Sequence, residues 1–305
     1  MASLNKLDQF LLMFSSLSLM FYVLFLFTLI KFRGRHPFNK PFFAICISVG
    51  VADILMLIHS NFLYRYPYWG RFPAKLLREN PDGLLVRYCV MSRWFLGNTQ
   101  FFGVVAIATN RLTSLLFPHK HKEIWTRQIL GLAIGLQWSL PILAMVPLIF
   151  APMGIHEDDT GGVHTGITDL HYLSMYYKLM SGCSFGMIIV VGVMYACMFY
   201  KICTLKMQQG AETTNMISKA ELKLSIDGAM IFLAMCAYHL FLVLAALNSD
   251  DTGFLLWSIA CDMFSWFNVY LLFCTSSNVR MHMALFVLCQ SSVPEVTAVT
   301  PAPEK

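Results

Sequence analysis

Charge is scarce in this sequence. Only 13% of its residues are Asp, Glu, Lys or Arg, about half the share of an ordinary globular domain, so the chain cannot clothe itself in a water-soluble surface. It has no Asn-x-Ser/Thr sequon, no Cys-x-x-Cys and no zinc-ligand spacing, which argues against sequon glycosylation, dithiol redox chemistry and a structural zinc module. No His-x-x-x-His pair occurs either, and a zinc hydrolase built in a membrane would need several His and Asp converging near one leaflet. Internal repeats, the usual mark of a transporter made of two halves, are also missing. Nine cysteines are present, but they form no secreted disulfide framework. Cys46, Cys183, Cys197, Cys236, Cys261 and Cys274 fall inside apolar runs, and Cys203 and Cys289 fall on the side read below as reducing cytosol. Only Cys89 stands at an outer boundary, with no cysteine in an outer loop to meet it.

What the chain has instead is hydrophobic length. Seven runs of roughly 20 apolar residues fill most of the 305 residues, and about 20 helical residues at 1.5 Å rise cross a hydrocarbon core about 30 Å thick. The fold class is therefore all-α, a bundle of seven transmembrane helices. The spans fall near 10–30, 42–64, 88–110, 128–150, 176–200, 225–247 and 254–277. An amphipathic cytosolic helix is expected near 279–289, completing a receptor domain over 1–290. Residues 291–305, rich in Pro, Thr and Val, read as a disordered cytosolic tail. The first run is too long for a signal-peptide core and is followed rather than preceded by basic residues, so it reads as a retained anchor.

The net charge of +5 does not point to nucleic acid, because the basic residues gather in loops beside the spans. Alternate loops carry fourteen Lys and Arg on one side and six on the other, the six being Lys6, Arg65, Arg71, Lys75, Arg78 and Arg87. The positive-inside rule then places the N-terminus outside and the C-terminus in the cytosol. The second outer loop, Gly154-Ile-His-Glu-Asp-Asp-Thr-Gly-Gly, is acidic and glycine-rich and reads as mobile. Ser218-Lys-Ala-Glu221 reads as a capping box at the cytosolic start of helix six. Cys289 is a candidate for lipidation.

Polar groups at bilayer depth cost about 2.5–3.5 kcal/mol each on insertion scales and need a reason. Asp53 sits mid-span in helix two; placed opposite Asn268, with Tyr270 near, it would form a buried polar cluster with room for a Na⁺ ion. Toward the outer face His59, Arg93, Asn98, Lys178, Tyr238, His239 and Asp262 reach similar depth, and Arg93 is a candidate partner for Asp262. Such a cavity, with two cations and one carboxylate, suits a small molecule, one with an acidic group included. At the inner end of helix three come Asn110 and Arg111, followed seven residues after the Arg by Pro118.

These inner-end residues resemble the rhodopsin-like G-protein-coupled receptors, whose Asp-Arg-Tyr motif stands at Asn110-Arg111-Leu112 with Pro118 after it. Val51-Ala52-Asp53-Ile54, Trp138 with Pro141 and Pro147, and Asn268-Val-Tyr270 followed by Val279-Arg280 are similar to their other helix motifs. A more extensive resemblance, over about residues 10–290, is to the nematode serpentine chemoreceptors, the Srg superfamily and its Srv branch. It is carried by Pro37-Phe-Asn-Lys-Pro-Phe, Arg65-Tyr-Pro-Tyr-Trp-Gly70, Asn110-Arg-Leu-Thr-Ser-Leu-Leu-Phe-Pro118 with Ile124-Trp125, and the helix-seven ending.

The resemblance implies a non-enzymatic chemosensory receptor in the plasma membrane of a sensory neuron. It would bind an odorant or pheromone-like molecule and activate a heterotrimeric G protein. Arg111 would then be the pivot of a switch, held at rest by Glu221 or Asp227 of helix six. Asp227 is the favoured partner, since the capping box employs Glu221. Departures from the rhodopsin-like pattern are the absent loop cysteine opposite Cys89, a helix six without Pro, and Val269 in place of the helix-seven Pro. A seven-helix ligand-gated channel subunit or a transporter is the alternative reading.

Overall fold

The computed structural model describes residues 6–36, 38–157, 161–208, 214–247 and 251–288. Seven long helices form the bundle: α1 (Lys6–Lys31), α2 (Pro41–Ile58), α3 (Leu84–Leu116), α4 (Arg127–Ile149), α5 (Leu170–Gln208), α6 (Thr214–Leu247) and α7 (Asp251–Thr275). A shorter helix, α8 (Ser277–Val287), follows α7. The outer end is the one that the charge count assigns to the N-terminus.

Local chemistry sets the helix ends. Pro41 opens α2, where its missing N–H costs nothing. Thr126 caps α4 by accepting from the Ile129 amide at 3.3 Å, and Ser276 caps α8 by accepting from Val279 at the same distance. Arg280 donates to the carbonyls of Phe273 and Cys274, groups that the end of α7 would otherwise leave bare. Pro141 and Pro147 lie inside α4, a placement that membrane helices tolerate when neighbouring helices supply hydrogen bonds. Tyr172 and Tyr176 of α5 donate to the carbonyls of Pro147 and Ala144 and tie this end of α4 to α5.

Among the described residues, five stretches are long and apolar enough to cross a membrane on their own: Gln9–Lys31, Pro41–Tyr68, Arg127–Ile149, Leu170–Thr204 and Ser258–Thr275. Helix α3 does not qualify by composition, because it carries Arg93, Asn98, Gln100, Asn110 and Arg111. It is the central helix, packed against α2, α4 and α5, so those polar groups face protein rather than lipid. Gly103 lets it in closely: a Cβ there would stand 2.5 Å from Val49 of α2 and 2.9 Å from Gln137 of α4.

Two apolar cores result. One wraps α3 with α5 and α6 around Trp94, Phe101, Tyr176, Tyr238 and Phe264. The other joins α1, α2, α7 and α8 through Tyr22, Phe25, Phe38, Trp266 and Met283.

Three expectations need correction. The second outer loop is an antiparallel hairpin, β1 (Met153–Glu157) and β2 (Val163–Ile167), in the register Met153↔Ile167 to Glu157↔Val163. Met153, Val163 and Ile167 are buried against the outer end of the bundle, and residues 158–160 lie outside the described residues. Ser218 cannot cap helix six, because α6 already runs from Thr214. Arg65 is not a loop residue: α2 continues through a wide π turn, His59–Arg65, which holds Arg65 inside the bundle. Pro37, Cys289 and the tail 291–305 lie outside the described residues.

Candidate functional site

The outer half of the bundle contains a buried charge cluster assembled from α2, α3 and α7. Asp262 is fully buried, and its partner is Arg65, not the expected Arg93; the two form an ion pair through Arg65 Nη2 and Asp262 Oδ2. The other terminal nitrogen of Arg65, Nη1, donates to Asn61 Oδ1 at 3.1 Å, and Asn61 Nδ2 donates to Ser15 Oγ of α1 at 2.7 Å. The π turn makes this possible, because a wider turn re-aims side chains that a regular helix would send elsewhere.

Arg93 enters from α3 and lies over the Tyr64 ring, its guanidinium carbon 4.3 Å from the centroid. It and Tyr238 also hydrogen-bond the side chain of Cys261. The two guanidiniums therefore hold neighbouring residues of α7, Arg65 on Asp262 and Arg93 on Cys261. His59, at the start of the π turn, donates from Nε2 to the Cys89 carbonyl at 2.9 Å, which fixes its tautomer.

The remaining ligand candidates are elsewhere. Asn98 turns back to the Trp94 carbonyl at 2.8 Å and toward Met180 sulfur at 3.7 Å. His239 pairs with Ser184 Oγ at 2.8 Å on the seam between α5 and α6, with Phe185 stacked on it. Lys178 is exposed on the outside of α5. Its neighbours Tyr176 and Tyr177 take the inward face, and a helix turns about 100° per residue.

Midway down the bundle Asp53 is the centre of a second polar group. Its carboxylate accepts from Gln100 Nε2 at 2.6 Å, from Asn268 Nδ2 at 3.3 Å and from the Tyr22 hydroxyl. Gln100 Nε2 also donates to Ser265 Oγ at 2.7 Å. Tyr270 does not join: two residues from Asn268 is about 200° round the helix, so it faces α1, where its hydroxyl meets Ser18 at 3.0 Å and its ring stacks on Phe21. A stripe on α1 thus supplies all three contacts, Ser15 to Asn61, Ser18 to Tyr270 and Tyr22 to Asp53. Those contacts, and Gln100, escaped sequence reasoning, although the spacing of Ser15, Ser18 and Tyr22 at i, i+3 and i+7 is a helical-face signal.

At the inner end Arg111 is buried with its guanidinium 4.4 Å above the ring of Phe42 at the start of α2. Above it is a cavity of about 20 Å³ bordered by Arg111, Phe42, Cys46, Ile231 of α6, and Asn268 and Leu272 of α7. That is room for about one water molecule. Asn110 turns away from Arg111 and meets His121 at 3.4 Å, and Trp125 donates to Thr113 at 2.8 Å, so the loop after α3 is tied to its last turns. Pro118 is exposed just beyond the end of α3. The side chains of Glu221 and Asp227 lie outside the described residues.

The chain matches the family described as serpentine type 7TM GPCR chemoreceptor Srv over residues 10–289. It is also similar to serpentine receptor class V-1 of Caenorhabditis elegans, with 27% identity over 248 residues, covering 79% of this chain and 77% of that protein. A multi-pass bundle with its polar groups turned inward is what such a receptor requires. The chain belongs to the Srv family of serpentine seven-transmembrane chemoreceptors.

Proposed function

We propose that this chemoreceptor binds a small extracellular molecule in the outer half of its bundle, among Tyr64, Arg65, Arg93, Tyr238 and Asp262, and passes the signal to a heterotrimeric G protein at its inner end. The observation that carries the reading is the outer charge cluster. Three ionised side chains buried at one depth are costly in a membrane, and they lie where a molecule from outside would arrive. The inner end supports the second half. Arg111 rests on Phe42 beside a small cavity that also touches α6 and α7, so a shift of either helix changes its surroundings. A ligand drives such a shift only as far as it prefers one state over the other. The cell is a chemosensory neuron and the membrane its plasma membrane.

The test is expression in cultured cells with a permissive Gα subunit and a calcium reporter, screened with odorants, small acids and pheromone-like molecules. A dose-dependent signal is expected, lost in Arg111→Ala at unchanged surface amount. Ligand-evoked current in membranes free of G protein would overturn the coupling.

A further inference from the structure

The geometry points to a small organic anion as the ligand class, with Asp262 holding the place of the ligand's carboxylate at rest. This deepens the outer-half reading above and rests on it.

The first ground is the charge count. Among the described residues, the buried ionisable groups of the outer half include two guanidiniums, Arg65 at 5% and Arg93 at 6% exposure, and one carboxylate, Asp262 at 0%. Among these described groups the excess is one positive charge, in a medium that penalises it. An arriving anion removes the excess, a neutral molecule leaves it, and a cation worsens it.

The second ground is how loosely the resident carboxylate is used. Asp262 meets Arg65 through Oδ2, while Oδ1 makes no hydrogen bond among the described residues. A guanidinium holds a carboxylate best through two parallel hydrogen bonds, so the present pair leaves binding capacity unused. Arg65 is anchored independently through Asn61 and Ser15, and it therefore keeps its place when Asp262 lets go.

The third ground is Arg93. Its guanidinium lies over the face of Tyr64 and reaches the thiol of Cys261. Sulfur is a weak acceptor, and a carboxylate or sulfate oxygen displaces it readily. Asp262 also lies within electrostatic reach of Arg93. A ligand anion seated between the two arginines would compete with both residues that α7 presents to them, Cys261 and Asp262. Binding thus frees α7 from α2 and α3 at this level, and α7 is the helix that carries Asn268 and Leu272 to the inner cavity.

The experiment is the melting temperature of the purified receptor in lipid nanodiscs, with sodium acetate or benzoate replacing chloride at constant ionic strength, and acetamide or benzamide as neutral controls. The carboxylates should raise the melting temperature of the wild type and the amides should not. Asp262→Ala, which vacates the resident carboxylate's place, should melt lower and recover most of the loss in acetate. Where that variant does not fold, Asp262→Asn keeps the volume and should show the same recovery. Arg93→Gln and Arg65→Gln should each lose the carboxylate shift. Indifference of wild type and Asp262→Asn to both carboxylates, or a full shift surviving in Arg93→Gln, overturns the inference. A receptor that signals to neutral odorants but shows no carboxylate shift sinks the anion class alone. A carboxylate shift without any G-protein signal sinks the coupling and leaves the anion site standing.

Discussion

Asp53 and Asp262 are the same residue, each fully buried, yet they are satisfied in opposite ways. Asp53 accepts three hydrogen bonds from neutral donors on three other helices. Asp262 faces one arginine through one oxygen. The first arrangement is a knot: every lone pair in use ties a helix, and nothing is gained by loosening it. The second is a charge pair with capacity to spare, which another anion can contest. The guanidiniums repeat the contrast, Arg65 against a carboxylate and Arg111 against an aromatic face. Rigidity belongs to the middle of the bundle and exchange to its ends.

The largest expected effect tests the outer pair. Arg65→Leu takes from Asp262 the guanidinium it pairs with, leaving only the more distant field of Arg93, and should cost up to about 3–5 kcal/mol, whereas Arg65→Leu with Asp262→Leu should recover part of it. A thermal melt of the three variants measures both, and a double variant no better than the single would mean that the pair is not the reason for the loss. Next is the knot. Asp53→Leu strips the acceptor from Tyr22, Gln100 and Asn268, and at about 1 kcal/mol or more per orphaned donor the loss should be about 3 kcal/mol. Asp53→Asn, which keeps one acceptor oxygen, should lose less. If the melts of the two variants coincide, hydrogen bonding is not what Asp53 contributes.

Phe42→Leu should have a smaller effect and a different readout. A cation–π contact of this kind contributes about 1 kcal/mol, so its loss should raise basal G-protein signalling about five-fold without lowering surface expression. Unchanged basal signalling would remove Phe42 from the resting state of Arg111. The smallest effect is expected at the rim, where Arg78 and Glu157 meet at 2.8 Å, half-exposed. Arg78→Ala should cost about 1 kcal/mol, and the part owed to Glu157 should vanish in high salt while the part owed to the Gly161 carbonyl remains, as hydrogen exchange of the hairpin amides would show.

Much of this architecture can be read from the residues. Apolar runs of membrane length announce the helices, and a polar side chain inside such a run demands a partner, which is how Asp53 and Asn268 stand out. Arg65 was harder to read. It follows an apolar stretch and looks like one more loop cation, and only the spacing of Asn61 and Arg65, one turn apart, hints at a shared inward face. Phe42 gives no signal, since an aromatic residue in an apolar run is ordinary. The hairpin hides for another reason. Its apolar positions Met153, Ile155, Val163 and Ile167 alternate as a strand requires, but an acidic, glycine-rich turn dominates the composition between them.

The hairpin also bears on how the receptor is made. It is fastened to the bundle by apolar packing of Met153, Val163 and Ile167 and by Arg78, which reaches both Glu157 and the Gly161 carbonyl. The eight described cysteines, Cys89 among them, are free thiols. Biogenesis of this outer cap therefore calls for no oxidoreductase, and extracellular reductants leave it seated. Salt, which screens the half-exposed Arg78–Glu157 pair, touches only the smaller part of what holds it.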